Sequence, residues 1–89
     1  MCIPYIAEFI GTFIFVAVIL ILKNPYLIAL ALLIVILLTS SISGGNINPA
    51  VSTAMYFNGT LTFVKYSGYV ISQILGALAA YYLSKYKST

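Results

Sequence analysis

Apolar residues run along this chain in long blocks, and the few places where the blocks break are the informative ones. Between Lys23 and Lys65 lie 41 consecutive residues, 24 to 64, with no formal charge. A membrane helix needs only about 20 apolar residues to cross a hydrocarbon core roughly 30 Å thick, so this run is too long for one span. It is also broken, at Ser43 to Val51, by the segment SGGNINPAV. Gly44, Gly45, Asn46, Asn48 and Pro49 all disfavour helix, yet backbone that leaves its helix in lipid survives only against protein or a water-filled cavity. The interruption points to a pore. Asn is a favoured N-cap and Pro suits the first helical position, so a helix restarts at Asn48-Pro49. Asn58-Gly59 is a stop signal. The resulting helix, Pro49 to Phe57, rises about 1.5 Å per residue and reaches about halfway across the membrane. Its N-terminus, carrying roughly half a positive charge, faces the bilayer midplane.

The rest of the pattern supplies three full spans. The first runs over residues 5–22, entering the membrane just after Pro4, and Lys23-Asn24-Pro25 turns the chain. The second runs over 26–41, almost unbroken Leu, Ile, Val and Ala, with no polar face until Thr39-Ser40-Ser41. The loop and half-helix occupy 43–57, Asn58-Gly59-Thr60 turns the chain back, and the third span runs over 63–84. The expected fold is an all-α membrane protein of three transmembrane helices plus one re-entrant half-helix, as a single domain over 1–89. On the third span, Gly68, Ser72, Gly76 and Ala80 recur every four residues. Small residues at that spacing let membrane helices approach closely, although Gly and Ala are common in such helices anyway. Gly11, with Ala7 one turn earlier, is the expected matching groove on the first span.

Composition sharpens the class. The sequence is 63% hydrophobic and only 6% charged, against about 25% charged residues in soluble domains. Lys23, Lys65, Lys85 and Lys87 lie near span ends, as do Tyr5, Tyr26, Tyr66, Tyr81, Tyr82 and Tyr86. They read as interfacial anchors and an aromatic belt, not as a nucleic-acid patch. The first span lacks a basic n-region and carries Glu8, so it reads as retained, not as a signal peptide. Cys2 is alone and leaves an inert thiol, an intermolecular bridge or acylation open. With no His, Trp or Arg and one acidic residue, the chain offers no metal, cofactor or nucleophile–base chemistry, and no enzyme is expected.

Few polar side chains lie inside the spans. Glu8 is costly in a membrane helix unless it is partnered or protonated. It reads as a proton-binding acid, as a fixed acceptor tying down the N–H groups of the re-entrant loop, or as an interfacial residue that snorkels to water. Gln73 and the cluster Thr39, Ser40, Ser41 and Ser43 can bond between helices or line a cavity. Asn48 differs, because its cap position puts its amide N–H groups at the half-helix end. The carbonyls of Ser43, Gly44, Gly45, Asn46 and Ile47, freed from helical pairing, form a ladder of acceptors leading to it.

SGGNINPAV resembles the first signature box of the aquaporin and aquaglyceroporin channels, the major intrinsic proteins, with Asn-Pro-Ala at the tip of a re-entrant half-helix. Ala7-Glu8-Phe9-Ile10-Gly11-Thr12 resembles the family's first-helix pattern, and Gln73-Ile74-Leu75-Gly76-Ala77 its third-helix pattern. The order and approximate spacing are right, and the resemblance covers nearly the whole chain. It implies half of an aquaporin-like fold, in which Asn48 donates to the permeant and Pro49 and Ala50 complete the box. Val51 borders the constriction, Glu8 braces the loop with Gln73 near it, and Ile28 occupies a second-helix filter position.

The departures are as informative. Family channels carry two inverted halves with two boxes and six spans, whereas one box and three spans stand here. The arginine after the second box is missing, and Asn46 stands where many members have His. One copy is therefore not expected to enclose the usual pore. The other half comes from an antiparallel second copy or a separate second-half chain, and higher oligomers are open. With a cytoplasmic N-terminus, as the resemblance implies, Lys65 lies inside and Lys23, Lys85 and Lys87 outside, against the positive-inside tendency. Insertion in both orientations as an inverted dimer is the expectation that follows. Three functions compete: a passive half-channel for water or small uncharged solutes in a lipid bilayer, a dual-topology proton-coupled transporter using Glu8, and a non-conducting fragment.

Overall fold

A computed structural model describes residues 2–88. All three prolines of the chain sit in the first turn of a helix, where the missing N–H breaks no bond. Among the described residues there are four helices: α1 (Ile3–Ile21), α2 (Pro25–Ser43), α3 (Pro49–Phe57) and α4 (Phe63–Ser88). Asn24 caps α2 by accepting the N–H groups of Tyr26 at 2.9 Å and Leu27 at 3.1 Å, and Asn48 caps α3 by accepting that of Ala50 at 2.8 Å. Gly44, at φ +91°, ends α2, and Gly59, at φ +87°, turns the chain after α3. Both positions need the left-handed conformation that glycine adopts without a Cβ penalty.

Five of the helix ends differ from the sequence expectation: both ends of α1, both ends of α2, which runs on to Ser43, and the C-terminus of α4. α1 starts at Ile3 because Pro4 belongs inside its first turn. α4 continues through Lys85 and Lys87 to Ser88, since leaving the hydrocarbon does not end intrahelical pairing and basic residues suit a helix C-terminus.

α1 and α2 are each long and apolar enough to cross a membrane, with mean hydropathies of 2.2 and 2.5. α4 is longer, at 26 residues, but more polar. Leu30, Leu33, Ile34, Leu37, Leu38 and Ile42 are all exposed along α2. Such a surface is untenable in water and ordinary against lipid. The molecule measures 42 × 23 × 20 Å, so its long axis exceeds the roughly 30 Å hydrocarbon core.

α1 is the central helix and packs against both α2 and α4, while α3 packs against α4. α3 runs back along the first turns of α4: Tyr56 stacks on Tyr66 with ring centroids 5.0 Å apart, and the Thr53 and Tyr66 hydroxyls meet at 2.9 Å. The chain thus enters, turns at Asn48 and returns.

Small residues let α1 and α4 meet closely. A Cβ on Gly68 would stand 2.2 Å from the Tyr5 ring, and one on Gly76 would stand 2.6 Å from the Phe9 carbonyl oxygen. The buried stripe of α4 is Tyr69, Gln73, Gly76 and Ala80, spaced four, three and four. Gly68 and Ser72 are only half-buried, because a strict four-residue repeat drifts off one face of a 3.6-residue helix. Gly11 is not the groove for α4. A Cβ there would strike Ile47 at 2.6 Å and Val35 at 2.8 Å, so it makes room for the loop and α2, while Tyr5, Phe9 and Phe13 of α1 carry the α4 contact.

Candidate functional site

Glu8 anchors the loop. Its side chain is fully buried, and both carboxylate oxygens are taken. Oε2 accepts the Ser43 hydroxyl at 2.6 Å and the Asn46 N–H at 3.1 Å; Oε1 accepts the Ile47 N–H at 2.8 Å and the Gln73 amide at 2.8 Å. Four donors converging on one carboxylate replace the water it lost on burial, which is what keeps a buried acid tolerable. Its full burial rules out the snorkelling arrangement.

A second node sits beside the first. The Ser52 hydroxyl oxygen accepts from Asn46 Nδ2 at 2.9 Å and from Gln73 Nε2 at 2.9 Å. Asn46 therefore ties the loop to the half-helix through its side chain while its N–H binds Glu8. Gln73 Nε2 bonds both nodes, joining α1, α3 and α4. Its Oε1 is buried without a partner among the described residues.

The backbone between these nodes is bent hard. Gly44, Gly45 and Ile47 all have positive φ, at +91°, +63° and +63°. A β-branched residue in the left-handed region costs of order 1–3 kcal/mol and persists only where its surroundings over-determine it. Here they do: Glu8 accepts the Ile47 N–H, Thr12 Oγ1 donates to its carbonyl at 3.3 Å, and the side chain is buried beside Gly11.

The expected carbonyl ladder is therefore shorter than its five members. Tyr69 donates its hydroxyl to the Ser43 carbonyl at 2.8 Å, and Thr12 engages Ile47. Among the described residues nothing donates to the carbonyls of Gly44, Gly45 and Asn46. At the end of this row stands Asn48, exposed along with Pro49, Ala50 and Val51. Because its Oδ1 must face the Ala50 N–H, its amide orientation is fixed and Nδ2 points away without an acceptor among the described residues. Ile28 lies half-buried one turn into α2.

Sequence reasoning missed Thr12, Ser52 and Tyr69. Each stands one helical turn, four residues, from a residue that was singled out: Glu8, Asn48 and Gln73 respectively. A polar group at that spacing in an apolar helix was the available signal. Tyr69→Phe is expected to cost about 1–3 kcal/mol by orphaning the Ser43 carbonyl, measurable as a lower unfolding midpoint in detergent with unchanged helicity.

The sequence pattern of the family described as Major intrinsic protein matches residues 2–88. The chain belongs to the major intrinsic protein family. This major intrinsic protein chain is 42% identical over 85 residues to the glycerol uptake facilitator protein-like 6 of Lactiplantibacillus plantarum, covering 85% of the chain and 39% of that relative. It is 34% identical over 101 aligned positions to aquaporin TIP2-1 of Arabidopsis thaliana, covering 92% of the chain and 40% of the relative. With a probable glycerol uptake facilitator protein of Thermotoga maritima it shares 46% identity over 48 residues, 54% of the chain and 20% of that protein. The chain thus spans about two-fifths of the length of the first two relatives. No solved structure matches it. The family is one of integral membrane proteins with an all-helical fold, and the exposed apolar faces of α1 and α2 fit that setting.

Proposed function

We propose that this chain supplies one half of a passive transmembrane channel for water or small uncharged solutes, completed by a second half. One observation carries the reading: the half-helix tip holds an amide whose orientation is locked by its own cap, next to three loop carbonyls left unpaired. A donor facing a row of acceptors is what a single file of water needs, and the positive half-helix end opposes cations. That the relatives include proteins named as aquaporins and glycerol uptake facilitators supports the same reading. The tip is exposed, so the pore needs a second wall. An inverted second copy or a separate second-half segment fits there. Glu8 with four donors serves better as a brace than as a coupling acid, since a group that exchanges protons during transport needs a path to water.

Swelling of proteoliposomes tests this. Asn48→Asp keeps the cap, as Asp caps a helix as well as Asn does, but removes the donor and adds a negative charge. Permeation is expected to fall to the leak of protein-free vesicles and to be insensitive to a pH gradient. Unchanged permeation in Asn48→Asp, or uptake that requires a pH gradient, overturns the channel reading. Accessibility tagging of the C-terminus separates the two second halves, since an inverted pair requires both orientations in one membrane.

A further inference from the structure

At the end of the bundle away from Glu8, the turn after α1 and the last turns of α4 enclose an open cavity of about 180 Å³ lined by Leu20, Ile21, Lys23, Ser84 and Lys87. Two lysines from different elements share it. The chain's sole acidic side chain is Glu8, buried and bonded to four donors elsewhere, so no carboxylate side chain of this chain neutralises the pair.

We propose that this cavity binds the phosphate of an anionic membrane lipid, with the Lys23 and Lys87 ammonium groups on the phosphate oxygens and Leu20 and Ile21 against the glycerol and upper acyl carbons. The setting fits that chemistry. α1 and α4 both end here, and Tyr81, Tyr82 and Tyr86 on α4 and Tyr26 on α2 are exposed at the same end, where aromatic side chains mark the headgroup level. A cavity that brings two cationic side chains together beside Leu20 and Ile21 matches a group that is itself anionic at its head and apolar below. Lys23 adds a second indication. It closes α1 in the left-handed conformation, φ +56°, with its N–H on the Val18 carbonyl at 3.3 Å, a position where Gly is the unstrained choice. A lysine there accepts that strain and delivers a charge to the cavity.

The competing explanation is general: lysines near helix C-termini offset the dipole and sit at membrane surfaces without a specific ligand. Lys85 separates the two. It shares the last turn of α4 with Lys87 but is rotated about 100° from Ser84 around the helix, and it does not line the cavity.

The detergent-solubilised protein is titrated with phosphatidylglycerol, phosphatidylcholine and inorganic phosphate, and bound lipid is read by native mass spectrometry, with circular dichroism confirming the fold of each variant. Phosphatidylglycerol is expected to bind more tightly than phosphatidylcholine. The preference drops about fivefold in Lys23→Gln and again in Lys87→Gln, survives in Lys85→Gln, and returns in the Lys→Arg variants. Equal loss in Lys85→Gln makes the effect one of diffuse surface charge and overturns the proposal. So does a preference that survives the double variant, or inorganic phosphate displacing the lipid at matching concentration, which makes the occupant a free anion. None of these readouts depends on conduction.

Discussion

Glu8→Gln is expected to unseat the re-entrant loop although it changes one atom. Each carboxylate oxygen accepts two donors, and Oε1 and Oε2 each receive one backbone N–H, from Ile47 and Asn46. An amide has only one acceptor oxygen, so one of those N–H groups must face an NH₂. Ser43 and Gln73 can reorient to accept instead, but a backbone N–H cannot. One charge-assisted bond is lost, one buried donor is orphaned and the remaining bonds become neutral ones, for a total of about 3–5 kcal/mol. The left-handed Ile47 then loses the contact that holds it. Unfolding in mixed micelles measures the loss, and deuterium labelling of the Asn46 and Ile47 backbone amides reports loop opening through its rate. Stability within about 1 kcal/mol of the parent, with labelling unchanged, would show that the carboxylate is not the brace.

The second large effect is at Gly76. A Cβ there meets the Phe9 carbonyl oxygen at 2.6 Å and the Phe13 nitrogen at 3.2 Å, and neither backbone atom can move without moving α1. Gly76→Ala is expected to cost about 1–3 kcal/mol by overpacking, and Gly76→Leu to part α1 from α4. Gly68→Ala is the calibrating variant. Its nearer clash, 2.2 Å, is with the Tyr5 ring, which can swing aside at the expense of its edge-on contact with Tyr69 at 5.7 Å. The order Gly76 worse than Gly68, despite the shorter distance at Gly68, is the outcome that supports this reading of the interface. The reverse order refutes it.

Local chemistry made much of this fold legible. Asn48-Pro49 announced a helix start because cap and proline act within a few residues, Lys23-Asn24-Pro25 was legible as the turn before α2, and the Gly59 turn was visible for the same reason. The Asn-Pro-Ala box and its two flanking patterns carried the family. The sequence could not say which way each helix face turned. A four-residue repeat put Gly68, Ser72, Gly76 and Ala80 on one packing face; Gly68 and Gly76 do meet α1, whereas helical drift leaves Gly68 and Ser72 half-buried and buries Tyr69 and Gln73 beside them. Gly11 looked like a partner for α4, but space beside it was needed for Ile47, whose unusual backbone no propensity signals. Nor could spacing show that Ser52 receives both Asn46 and Gln73, since that node joins residues from the loop, α3 and α4 only after all three have packed.

The Glu8 node also constrains how the protein is made. Its most distant donor, Gln73, lies 65 residues further along the chain, and synthesis at about 5–20 residues per second delivers that residue roughly 3–13 s after the acid itself. For roughly the first half of that interval none of the loop exists to receive the carboxylate, and after Ser43, Asn46 and Ile47 have been made the donor from α4 is still missing. The node is therefore complete only once α4 has been made, and the packing of α1 against α4 is a late step.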